Sequence, residues 1–324
     1  MIKPILDKAT AAWAVIQNKH AQLQVGDTVN LKFQLFQSIL VPTFHYGCEV
    51  WGMHSPTNTD AKQARTQLEQ KYMFYLKRIC GVQSTTSNAV ILAETNMKSL
   101  KRFWWKQSIQ FWNCLATASH TSLHQVVLLD NICDALIHHV PNFSQSVFDN
   151  LKSIGITLPT QTNSIPIIDI AQVVQNLDHQ NSLVWNGLSA NPRTAPSLNA
   201  KLCTYQNWFK LPSTANPYFL FPVSGKRMKR FLRFRVSSHS LAIEIGRRTR
   251  PQVPRSARLC PRCSSQAVGD EKHLVFECPF LQPVRFKYPS LFDLPLQSMH
   301  LFFSQKDRMH VFRFILDCLD MIDT

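Results

Sequence analysis

The sequence predicts a mainly α-helical fold with a small cysteine-rich module near its C-terminal end. Three observations lead there. Apolar residues in the first half recur three and four positions apart, the spacing of a helix face. The 324-residue chain is 45% hydrophobic and only 17% charged, enough apolar material for one large or two smaller cores. Cys260, Cys263, His273 and Cys278 fall within one short stretch, while the other cysteines are scattered.

The elements follow in order. Ile5, Ala9, Ala12, Trp13 and Ile16 mark a helix from Pro4 to about Lys19, with Pro4 in the first turn, where its missing N–H costs nothing. Gly26-Asp27-Thr28 breaks that pattern. Leu31, Leu35, Phe36, Ile39 and Leu40 form a second apolar face, which Pro42 ends or bends. Tyr46 to Gly52, with two glycines and two aromatics, reads as a packed turn or a short helix. A third helix spans about Asp60 to Cys80, lined by Leu68, Tyr72, Tyr75, Leu76 and Ile79, with Gly81 as its stop. Further helices start near Ser87-Asn88 and cover about Leu100 to Ala118, where Phe103, Trp104, Trp105, Phe111 and Trp112 read as core. Residues 155–168 and 189–224 are rich in Pro, Ser, Thr and Asn and read as linkers, with one helix over Ile168 to Leu183 between them. A last helix begins near Ser304, Asp307 acting as a capping partner. Along the chain this gives four segments: 1–55, 56–188, a linker-like 189–224, and a C-terminal module over 225–324.

The net charge is +15. A surface that basic attracts polyanions, namely RNA, DNA or an anionic membrane. The start of the chain lacks the apolar run of a signal peptide, and no stretch approaches 18 uninterrupted apolar residues, so a cytoplasmic or nuclear, reducing setting and no membrane partner are expected. The nine cysteines are odd in number and widely spread, which argues against a disulfide framework; Cys114 and Cys133 read as small buried hydrophobes.

Residues 225–263 hold twelve Lys or Arg against a single acid, Glu244, a net +11. Lys226, Arg227, Lys229, Arg230, Arg233 and Arg235 interleave with Phe231, Leu232 and Phe234, and Arg247, Arg248, Arg250, Arg255 and Arg258 follow. The aromatics read as the buried side of an amphipathic helix. The cations read as phosphate contacts, because eleven net charges exceed what solubility requires. No lipidation signal or wide apolar helix face favours a membrane instead.

Cys260-x2-Cys263-x9-His273-x4-Cys278 has the spacing of a zinc site. A Cys-x2-Cys turn presents two sulfurs from one knuckle, stiffened by Pro261, and Gly269-Asp270 reverses the chain. His273 and Cys278 then close the site from one short helix or turn. Four protein ligands leave no open position for water, so the Zn2+ is expected to be structural. A redox pair is the other reading of Cys260 and Cys263, but the strand-to-helix context is missing. The fold class becomes a helical N-terminal and middle region with a C-terminal zinc-knuckle module.

Several of these segments together resemble the C-terminal part of the polymerase polyprotein of LINE-like, non-LTR retrotransposons. Leu40-Val41-Pro42 through Tyr46-Gly47-Cys48-Glu49-Val50-Trp51-Gly52 is similar to the family's thumb-region signature. Leu68-Glu69 through Leu76-Lys77-Arg78-Ile79-Cys80-Gly81-Val82 is similar to the helix after it. Lys229 to Arg235, Pro254 to Cys260, and Glu271-Lys272-His273 through Glu277-Cys278-Pro279 are similar to the approach to the family's CCHC zinc knuckle and to the knuckle itself. The resemblance implies a source element that copied RNA into DNA, with a C-terminal region binding template RNA or target DNA. The chain departs from the family where polymerisation would occur. It has no Asp-Asp dipeptide to hold two divalent ions, and the thumb-like match begins at once, which leaves no room for fingers and palm. The Pro-Asp of restriction-like nucleases is also missing; Asp270-Glu271 reads as a solvated turn, and Asp317, Asp320 and Asp323 read as ordinary surface patterning. No catalytic residue is expected. The expectation is a nucleic-acid-binding, zinc-binding retroelement-derived protein. The alternatives are an accessory to a polymerase core supplied by another chain, and a relic without a role.

Overall fold

The computed structural model of the chain describes residues 2–22, 29–53, 59–119, 121–158, 165–190, 205, 208, 218, 221, 223–292 and 298–323. They are mainly helical, and among them the β pairing is one isolated antiparallel bridge, Leu259 with Val268. The chain divides into two compact units, each gathered from separate stretches. One holds Met1–Asn18, Leu35–Met73 and Lys98–Gly187; the other holds Lys19–Gln34, Phe74–Met97 and Leu188–Thr324. Segments cut at 55, 188 and 224 follow composition along the chain, whereas compactness depends on which helices return to one another.

The first helix, α1 (Ile2–Gln22), buries Ile5, Ala9 and Ile16. After α2 (Val29–Leu35) the chain runs through a π-helical turn at Phe36–Leu40 into α3 (Val41–His45). Pro42 therefore does not end the helical path. It lies in the first turn of α3, where no N–H is needed. The Tyr46–Gly52 segment contains a short helix, α4 (Cys48–Trp51). It packs on α7 (Leu100–Ala116): Trp104 Nε1 donates to the Phe44 carbonyl at 3.1 Å and the Ser108 hydroxyl to the Cys48 carbonyl at 3.0 Å. Gly52 makes this approach possible, since a Cβ there would stand 2.9 Å from Trp104 Cβ and 2.5 Å from the Cys48 carbonyl oxygen.

The core of this unit joins Trp105, Ile109 and Trp112 of α7 to Leu128 and Ile132 of α8 (Leu123–Ile137), Val147 and Leu151 of α9 (Phe143–Ser153), and Val173 and Leu177 of α10 (Ile170–Ala190). Ser99, Ser122 and Asn142 cap α7, α8 and α9 with their side-chain oxygens, so each helix starts where a polar residue satisfies its first amides. Neither α8 nor α9 is predicted from the sequence. Of the predicted buried cysteines in this region, Cys114 is exposed and Cys133 partly so, because each faces away from the tryptophan stripe of its own or the neighbouring helix.

Helix α5 (Thr59–Cys80) ends at Gly81 as its sequence predicts, and α6 (Asn88–Thr95) follows. The second unit also holds α11 (Gly225–Arg235), α12 (Ala242–Arg248), α13 (Gln282–Lys287), α14 (Met299–Phe303) and α15 (Arg308–Asp323). Asp307 caps α15 by accepting from the His310 amide at 2.9 Å. The core here is aromatic: Phe231 lies 4.8 Å from Phe312, and Phe314 packs on Phe292 and Phe302. Phe231 and Phe234 are fully buried, as their place in an amphipathic helix predicts. Within 189–224, read from composition as linker, Tyr205 and Tyr218 are buried in this unit. Most of that segment lies outside the described residues.

Candidate metal centre and the basic surface

Cys260, Cys263, His273 and Cys278 come together, each offering one ligand atom, with all four atoms within 4.8 Å of one another. Local structure explains the convergence. The Cys260 amide donates to the Ala267 carbonyl and the Gly269 amide to the Arg258 carbonyl, both at 2.9 Å, so the two sides of the loop are held as a narrow knuckle. Gly269 packs against that knuckle so closely that a Cβ would stand 3.0 Å from Cys260 Cα and 3.0 Å from Ala242 Cβ. Asp270 then accepts from the His273 amide at 3.0 Å and starts the next turn.

That turn, His273–Glu277, is π-helical, and the Cys278 amide donates to the His273 carbonyl at 2.7 Å. In an α-helix, position i+5 points about 140° away from position i. The wider π turn closes on itself at i+5 and brings both side chains to one side. A four-residue gap is therefore what this turn requires.

The spacings suit a tetrahedral ion. A tetrahedron with metal–sulfur bonds of about 2.3 Å has sulfur–sulfur edges of about 3.8 Å. Cys260 Sγ and Cys278 Sγ are 4.0 Å apart, and Cys263 Sγ and His273 Nε2 are 3.3 Å apart. His273 is buried and presents Nε2 to the sulfurs; its Nδ1 has no hydrogen-bond partner and faces Glu277 at 3.6 Å. Burial and the neighbouring Cys260 push the Cys278 thiol up to about 12. At Cys263 burial acts the same way, but hydrogen bonds from Ser265, His273 and Cys260 outweigh it and bring the thiol down to about 6. A cation at the centre stabilises cysteine sulfurs as thiolates. The group can hold a metal ion.

The Asp270-Glu271 pair is not the solvated turn its sequence suggests. Glu271 is buried and accepts from the Ser237 hydroxyl at 3.0 Å and from His239 Nε2 at 2.8 Å. The Leu241 amide donates to His239 Nδ1 at 3.3 Å, which leaves the imidazole proton on Nε2. Burial raises the Glu271 carboxyl, but the neighbouring His239 and then the hydrogen bonds from His239 and Ser237 outweigh it and hold the carboxyl below its ordinary range. These bonds tie the metal loop to the residues that follow α11.

The predicted phosphate contacts separate into three groups. Lys226, Arg227, Arg233, Arg248, Arg250 and Arg255 are exposed. Lys229, Arg230 and Arg247 are half-buried. Arg230 pairs with Asp320 and Asp323, which makes those two carboxylates more than surface patterning, and Asp317 accepts from the Tyr288 hydroxyl at 2.9 Å. Arg247 and Arg248 both pair with Glu244, and Arg255 pairs with Asp270 at 2.8 Å.

Arg235 and Arg258 face the protein instead. Arg235 is 6% exposed. Its Nε and Nη2 donate to Glu94 at 2.9 and 2.6 Å, and Tyr205 donates to the same carboxylate at 2.6 Å. The guanidinium lies 5.0 Å from the ring centres of Tyr218 and Phe303. It follows Met228 by seven residues and Phe231 by four, so it falls on the buried stripe of α11. A phosphate role for Arg235 is thereby excluded. Arg258 donates to the carbonyls of Val253 and Ile243 at 2.8 and 3.0 Å and braces the loop before Cys260.

No protein-family model, no curated protein and no solved structure matches this chain.

Proposed function

We propose that the unit containing α11, α12 and the metal loop binds nucleic acid, and that the ion held by Cys260, Cys263, His273 and Cys278 is a structural zinc. The observation that carries the reading is the exposed set of Lys226, Arg227, Arg233, Arg248, Arg250 and Arg255, gathered within 30 residues of sequence beside the metal loop. Zinc fits three thiolates and an imidazole in a tetrahedron, and a shell filled by protein has no position for a reacting water. The ion shapes the loop that begins with Arg255 and Arg258 and ends at Cys278. The cations neutralise phosphates, a mode of binding that gives affinity without sequence preference. The likeness of Tyr46–Gly52 and Cys260–Cys278 to the C-terminal region of LINE-like reverse transcriptases supports a retroelement origin and RNA or DNA as the partner. The family's Asp-Asp pair does not occur in this sequence, so the proposed role is binding rather than polymerisation by this chain itself.

Titrating the full chain with single-stranded RNA and with duplex DNA across salt concentration tests this. Affinity falls with salt, and the variant Lys226→Gln/Arg227→Gln/Arg233→Gln/Arg250→Gln loses on the order of 10- to 100-fold and flattens the RNA slope by about 0.7 per lost phosphate contact. Full affinity in the folded quadruple variant contradicts the proposal.

A further inference from the structure

Cations alone make a sticky face; a concave site is a narrower feature, and the second unit has one. A cavity of about 400 Å³ opens between α11, the turn after it, Gln83, Arg248 at the C-terminal end of α12, and Leu319 and Asp323 of α15. Lys226, Lys229, Arg230, Arg233 and Arg248 line it. Several of them are held in place. The Arg233 Nε donates to the Gly81 carbonyl, Arg248 donates to the His239 carbonyl at 3.1 Å, and Arg230 is fixed by Asp320 and Asp323. The floor is rigid too. Ser238 is buried and accepts from the Gln83 amide at 3.1 Å, and His239 is locked to Glu271.

Charge decides what such a cavity takes. Five cations line it with one carboxylate, Asp323, while Asp320 and Glu244 pair with Arg230 and Arg248 from outside the lining, so the cavity is net positive. An internal phosphodiester brings one negative charge and two free oxygens. A phosphate monoester brings about −1.5 to −2 and three acceptor oxygens. Converging arginine forks and ammonium groups match the second better than the first.

We infer that this cavity seats a phosphate monoester, the terminal phosphate of a nucleic-acid strand being the source that agrees with the proposed function, on which the choice of source rests. Such a seat distinguishes a strand end from the strand interior. The exposed cations outside the cavity, Arg227, Arg250 and Arg255, supply the end-independent part of the affinity.

The experiment compares the full chain on one ten-nucleotide RNA with a 5′-phosphate, the same RNA with a 3′-phosphate, and the same RNA with hydroxyls at both ends, with inorganic phosphate as a competitor. One of the phosphorylated strands binds on the order of tenfold tighter than the hydroxyl strand, the gain of one well-made charge-assisted contact. Lys226→Ala/Arg248→Ala removes that preference, while Arg227→Ala/Arg250→Ala lowers all affinities and keeps it. Equal binding of the three RNAs, undisturbed by phosphate, overturns the inference and leaves nucleic-acid binding standing. Binding of inorganic phosphate that Lys226→Ala/Arg248→Ala abolishes, with no RNA bound, supports the seat and overturns the nucleic-acid reading. No binding of either overturns both.

Discussion

Arg235 shows how far a residue's environment can part from its composition. By sequence it is one cation among twelve; in the fold it is a buried guanidinium satisfied by Glu94 and enclosed by Tyr218 and Phe303. Burial opposes its charge, and Glu94 more than compensates, raising its pKa. Breaking one side of such a pair leaves the other charge stranded, at about 3–5 kcal/mol. Glu94→Ala should therefore destabilise the second unit by that amount in denaturant unfolding, and Glu94→Leu/Arg235→Met should recover most of it. The double variant should also keep the salt slope of RNA binding, since Arg235 touches no phosphate. A reduced slope in a fully folded double variant contradicts its assignment to the interior.

At the scale of elements, the metal loop depends on two geometric devices, the π turn at His273–Glu277 and the close approach at Gly269. Gly269→Val should press on Cys260 and Ala242. Overpacking of about 1–3 kcal/mol is expected, and zinc affinity measured against a chelator should fall by roughly tenfold or more. Unchanged affinity would show that the knuckle is not held from this side. The Cys260, Cys263, His273 and Cys278 cluster was legible in the sequence because residue type and spacing are local properties. The helices around Leu68 to Ile79 and Trp104 to Trp112 were legible for the same reason, through a 3.6-residue period. Arg235 was half legible: its seven-residue distance from Met228 puts it on the apolar stripe, but nothing local announces Glu94, 141 residues away. Glu271 was not legible at all. Its partners Ser237 and His239 reach it only after the loop has folded back.

Over the whole molecule, the net charge of +15 is not spread evenly. The stretch from Lys226 to Arg262 carries most of it, within one compact unit that also holds the metal group. A basic segment of this density repels itself. The loop that ends it has one β bridge and few buried apolar residues, so in the proposed function a metal ion would be what keeps cations and loop in a fixed arrangement. Removal of the ion should loosen that region and weaken RNA binding together, while the tryptophan-rich core of the other unit, built without any metal ligand, should keep its helical signal.

The most direct measurement is the metal content of the purified chain by native mass spectrometry, beside Cys260→Ser/Cys278→Ser. One zinc per wild-type chain and none in the folded variant is the expected result. Folded wild-type protein without zinc, or zinc retained by the variant, would contradict the metal site on which the rest is built.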